Sequence, residues 1–174
     1  MMLKKSAASM AAPARALLRR RRLAAAGVTA VLTAVVGLNL VFAGPAAAAA
    51  GRWVPYGNNN PITGSPSTWV CGGTIPVASE VLAQVCTIRT PSLAYVQSAV
   101  IVRNNRSSLY RLYATSRMYS SAYNYEIGSW TCDSSGVGAH SWSVCFGATQ
   151  DYSLGVYSVG IIDAGTFLPT TPHF

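Results

Sequence analysis

From residue 68 onward, short runs of β-branched and aromatic residues alternate with clusters of Gly, Asn, Ser and Pro, and no stretch carries the 3.6-residue apolar stripe of an amphipathic helix. The runs predict strands over 68–71, 81–89, 94–103, 109–116, 123–130, 140–148 and 154–163. In the sixth, period-two alternation puts His140, Trp142, Val144 and Phe146 on one face and Ser141, Ser143 and Cys145 on the other. Asn104-Asn105 separates two runs and marks a tight connection, because Asn tolerates the left-handed conformation of hairpin turns. The pattern predicts an all-β fold, an antiparallel β-sandwich of about seven strands, with a barrel as the related alternative.

The first 67 residues follow other rules. Lys4, Lys5, Arg15, Arg19, Arg20, Arg21 and Arg22 precede an apolar run over 23–42, which Gly44-Pro45 and an alanine tract terminate. That order is the layout of a secretory signal peptide over 1–50, with an Ala-x-Ala cleavage site at Ala48-Ala49-Ala50. The run is long enough to span a bilayer, but the helix-breaking Gly-Pro pair and the small-residue exit favour cleavage and a secreted product with no remaining membrane anchor. Residues 51–67 are rich in Gly, Asn, Pro and Ser and have no period of either kind. Pro55, Pro61 and Pro66 predict an extended N-terminal arm ahead of the sandwich domain at 68–174. It is read either as a passive linker or as a docking peptide that offers Trp53, Val54, Pro55, Tyr56 and Ile62 to a partner.

Charge then changes the picture. The chain's formal net charge is +8, but the leader holds most of it. Residues 51–174 carry six arginines, no lysine and five acids, so no clustered basic footprint for nucleic acid remains. All four cysteines, Cys71, Cys86, Cys132 and Cys145, lie in the exported part, which predicts two disulfides in an oxidising compartment. Trp69-Val70-Cys71 recurs as Trp130-Thr131-Cys132, Val85-Cys86 as Val144-Cys145, and Ser92-Leu93 as Ser153-Leu154. Read as two half-repeats, these matches favour local pairing, Cys71 with Cys86 and Cys132 with Cys145. Each pair would stabilise the domain by roughly 3 kcal/mol.

Chemistry is sparse. No Cys-x-x-Cys spacing or His cluster offers a metal site, and no Gly-rich phosphate loop points to a cofactor. His140 and Asp133, with Ser134 and Ser135, contain the residue types of a hydrolytic triad but no nucleophile elbow. The five acids are too dispersed to form a short paired-carboxylate motif. The segment Tyr110, Arg111, Tyr113, Arg117, Tyr119, Tyr123 and Tyr125, by contrast, is rich in residues that dominate interface hot spots. Some of these tyrosines are expected in the core, because one face of an alternating strand is normally buried. The expectation is a binding protein without catalysis.

The exported β domain, two disulfides and Pro/Asn-rich leading arm, with the Trp-x-Cys pattern, resemble the small adaptor subunit of actinobacterial umbrella toxin particles. The resemblance implies a link between lectin subunits and a large repeat-stalk toxin protein, with Trp53, Val54, Pro55, Tyr56 and Ile62 lying in a lectin cleft. The alternative is a secreted carbohydrate- or cell-wall-binding module whose Trp and Tyr residues stack on sugar rings.

Overall fold

The computed structural model describes residues 48–163 and 165–174, so the signal peptide predicted over 1–50 lies outside the described residues except for its last three. Twelve strands form two sheets, and no helix occurs among the described residues. Sheet I has the order β1-β8-β7-β11-β12: β1 (Ala49–Ala50), β8 (Glu126–Val137), β7 (Tyr110–Ser120), β11 (Val156–Ile162) and β12 (Thr166–Leu168). Sheet II runs β2-β9-β6-β5-β3: β2 (Arg52–Gly57), β9 (Ser141–Phe146), β6 (Tyr95–Asn104), β5 (Val81–Arg89) and β3 (Thr68–Cys71). In addition, β4 (Ile75–Ala78) pairs with β5 and β10 (Gln150–Asp151) with β6. The all-β prediction holds. The strands at 68–71 and 81–89 match their predicted limits, while the extra elements are short edge strands whose pairing comes from neighbours and not from an alternating pattern of their own.

The core follows the period-two rule. Val81, Ala83 and Val85 of β5, Val100 and Val102 of β6, and Leu112 and Ala114 of β7 bury alternate side chains between the sheets, with Cys132, Cys145, Val137 and Ile162. A second group, Val96, Met118, Trp130 and Val156, packs further along the sandwich. The core also buries the hydroxyls of Thr87, Ser158 and Thr171, with Thr87 Oγ1 2.8 Å from Ser158 Oγ and 3.2 Å from Thr171 Oγ1. Burying a hydroxyl is costly unless it is hydrogen-bonded, and these three satisfy one another.

The predicted arm is extended, but it is not free. Its first part is strand β2, paired antiparallel with β9 from Arg52↔Phe146 to Val54↔Val144. The same chain passes from sheet I to sheet II at Gly51, whose N–H donates to Thr131 O at 2.8 Å. A Cβ on Gly51 would lie 2.7 Å from Cys132 Sγ, so glycine lets the chain turn this corner against the disulfide. Strands β2 and β3 are at opposite ends of sheet II, so residues 58–67 must cross its outer face, about 19 Å at the usual strand spacing. They cover it with buried Pro61 and with Ile62, which packs with Trp69, Trp142 and Phe146 over Cys86, Ile88, Ala99, Ile101 and Val144. The corrected picture is a strap, because the sheet's outer face is itself apolar and needs a cover.

Both predicted disulfides are present, Cys71–Cys86 and Cys132–Cys145. They are not equivalent. The first joins directly paired residues of β3 and β5 within sheet II, with Cα atoms 4.0 Å apart. The second ties β8 of sheet I to β9 of sheet II across the core, with Cα atoms 5.9 Å apart. Trp69 correspondingly lies in the outer cluster and Trp130 in the core. The sequence matches are therefore not a structural duplication.

Candidate contact surfaces

Strand β7 alternates cleanly. Leu112, Ala114, Ser116, Met118 and Ser120 are buried, while Arg111, Tyr113 and Arg117 are exposed and Tyr119 half-buried. Its neighbour β11 pairs Tyr157↔Tyr119, Val159↔Arg117 and Ile161↔Thr115, and β12 adds Phe167 opposite Ile161. Directly paired residues share a face, so Tyr157, Val159, Ile161 and Phe167 join the β7 residues on the outer face of sheet I. Phe167 is 66% exposed there. No segment comparable to 58–67 crosses this face among the described residues.

Three rings stack in a row on or beside this face. Tyr119 stacks on Tyr157 with centroids 5.3 Å apart, and Tyr157 on His173 at 4.9 Å. Tyr123 and Tyr125 form another stacked pair at 6.2 Å. Stacking occupies ring faces of Tyr119 and Tyr157 and leaves their edges and hydroxyls. The Tyr119 hydroxyl donates to Glu126 Oε2 at 3.0 Å. Its pKa is raised above the ordinary phenol value, chiefly by burial, with Glu126 adding to the rise and Arg117 opposing it. Tyr125 is also raised, first through its hydrogen bond to Tyr152.

Of the predicted surface residues, Arg111, Tyr113, Arg117 and Tyr119 come together on this face. Tyr123 and Tyr125 lie in the turn beyond β7, because β8 begins only at Glu126. Tyr110 departs from the expectation: it packs half-buried against the core beneath Arg106, whose guanidinium lies 4.8 Å from the ring centroid. Phe167, Tyr157 and His173 were missed. The alternation of Val156, Ser158, Gly160 and Ile162 signals that Tyr157 faces outward, whereas Phe167 and His173 follow two residues that no pattern assigns to a strand.

The arm residues divide between two environments. Trp53 packs against the core and donates its indole N–H to Asp133 O at 2.8 Å. Val54 and Tyr56 line an open groove of about 400 Å³ on the outer side of sheet II, with Arg52, Gln97, Phe146 and Gly147. Pro55 is exposed, and Ile62 belongs to the strap.

The acid–base candidates do not converge. His140 is not in the strand but in the turn before it, with φ of 48°, where its N–H donates to Arg106 O. Asp133 and Ser134 are not in a loop but in β8, at a bulge between the Leu112 and Ala114 pairings. No side-chain hydrogen bond joins His140 to Asp133, Ser134 or Ser135, and no group of three or more His, Cys, Asp or Glu able to hold a metal occurs among the described residues. Arg89 is the one buried cation among the described residues, and it is occupied structurally. Its guanidinium donates to Leu93 O and Tyr152 O at 3.1 Å, to Phe174 O at 3.2 Å, and to Leu154 O. Burial lowers its pKa from the ordinary value. Asn104 likewise holds the 105–109 connection through its side-chain amide, which donates to Ser108 O, Val137 O and Gly138 O. That linkage takes the place of the left-handed turn expected there.

No family model matches the chain, and neither the curated proteins nor the solved structures compared with it contain a match.

Proposed function

We propose that this is a secreted, non-catalytic protein-binding adaptor whose contact surface is the outer face of sheet I. The observation that carries the reading is the contrast between an outer face strapped by its own chain and one left bare with Arg111, Tyr113, Arg117 and Phe167 presented together. Tyr and Arg combine apolar area with polar tips at modest entropic cost, which is the composition of interface hot spots. The two disulfides suit the oxidising exterior that such a role requires. Linking lectin subunits to a large secreted toxin protein in an interbacterial antagonism particle remains the specific form proposed. In that form sheet I supplies one contact, while engagement of a lectin cleft by Trp53, Val54, Pro55, Tyr56 and Ile62 requires β2 and the strap to exchange their present contacts. The test is purification of the tagged protein from its native culture supernatant with identification of stoichiometric partners. An Arg111→Ala/Arg117→Ala/Phe167→Ser variant is expected to lose a partner while unfolding within about 1 kcal/mol of the parent. Retention of every partner would remove the surface from the reading.

A second reading, saccharide binding, is favoured by the groove beside β2, which combines two aromatic side chains with polar groups.

A further inference from the structure

The groove on sheet II has a composition that narrows its ligand. Arg52, Val54 and Tyr56 project from alternate positions of β2, Phe146 is the direct cross-strand partner of Arg52, and Gln97 lies on β6 beyond it. The site thus spans three adjacent strands, β2, β9 and β6. Arg52, Val54, Phe146 and Gln97 are ladder positions held by main-chain pairing, while Tyr56 sits at the β2 bulge and Gly147 just after β9. Gln97 Nε2 donates to Gly147 O at 2.7 Å, which fixes the amide and leaves Oε1 as an acceptor at the groove. No carboxylate lines it, and Arg52 is exposed there.

We propose that this groove binds an anionic pyranose, a uronic-acid type of sugar. The inference rests on the saccharide reading and adds its site and ligand class. The chemistry divides cleanly: the guanidinium of Arg52 takes the carboxylate, for which its planar fork is suited. Gln97 Oε1 accepts from a ring hydroxyl, the Tyr56 hydroxyl donates or accepts at another, and the Phe146 and Val54 side chains meet the C–H face of the ring. A volume of about 400 Å³ lies within the usual range for small-ligand sites. A neutral sugar would leave Arg52 unused, and an apolar ligand would use neither Arg52, the Tyr56 hydroxyl nor Gln97 Oε1.

The experiment is a titration of the isotopically labelled exported protein with trigalacturonate, trigalactose and a short polyaspartate, followed by NMR. Trigalacturonate is expected to shift the Arg52, Gln97 and Gly147 resonances and to bind at least about tenfold more tightly than trigalactose, equivalent to about 1.4 kcal/mol. Arg52→Gln, at an exposed position, is expected to abolish that difference, and Tyr56→Phe to weaken binding severalfold. Equal binding of the acidic and neutral sugars, equal binding of polyaspartate, or shifts confined to other residues would each overturn the proposal. So would the absence of any shift. None of those results bears on the adaptor reading, which the co-purification experiment tests separately.

Discussion

The two outer faces of the sandwich are built from similar strands and end in opposite states. On sheet II, Ile101, Val144 and Ile88 are as buried as core residues because 58–67 crosses over them. On sheet I, Ile161 and Val159 are only half-buried and Phe167 is exposed. An apolar outer face is therefore stabilising where the chain itself covers it, and is left available where it does not. The strap spends the Pro-rich arm on folding, which is why a segment that reads as a free peptide is part of the body.

The sharpest break of this comparison is one substitution made on each face. Ile101→Ala is expected to cost about 3–4 kcal/mol of unfolding free energy, as for buried large-to-small changes, and Ile161→Ala about 1 kcal/mol or less. Urea denaturation of both variants measures the difference, and equal losses would mean that the strap does not shield its face. Next in size are the disulfides. Removing either pair with serine substitutions is expected to cost about 3 kcal/mol by the loop-entropy argument. The Cys132/Cys145 pair is expected to cost more, because its sulfurs lie in the main core between sheets while Cys71 and Cys86 lie within one sheet. Ile62→Ser should loosen the strap alone, with a loss of about 1–2 kcal/mol and increased binding of a hydrophobic dye in native buffer. Unchanged dye binding would place the cover elsewhere.

The smallest effect concerns the bare face. The folded protein holds the Tyr119 proton more tightly than the unfolded chain does. The resulting stability is present below the ordinary phenol pKa of 10.0 and is lost as pH rises through the folded-state value. Glu126→Gln is expected to bring the tyrosinate absorbance transition of Tyr119 back toward the ordinary value, leaving the contribution of burial in place. No movement of that transition would show that the Glu126 contact does not act on Tyr119.

Legibility varied with the kind of signal. The strand at 81–89 was readable to the residue because Val81, Ala83, Val85, Thr87 and Arg89 alternate inward within a continuous β-forming run. The outward set Arg111, Tyr113, Arg117 and Tyr119 was found as a compositional cluster, and only strand pairing added Tyr157, Ile161 and Phe167 to it. The groove was half-legible: Val54 and Tyr56 stood out as aromatic or apolar arm residues, but nothing local links them to Gln97, which lies about forty positions downstream and meets them only through β9. Composition groups Tyr110 with Arg111 and Tyr113, whereas alternation along β7 sets it on the same side as buried Leu112 and Ala114.

By itself the sequence determined the all-β class and the period of the strands, because alternation depends on residues near one another along the chain. Tertiary structure decided where the arm lies, which Trp-x-Cys segment enters the core, and which apolar face stays uncovered. Those outcomes depend on sheet order. Placing β2 and β3 at opposite edges of one sheet forces the intervening segment across its face, and no residue pattern encodes that placement locally.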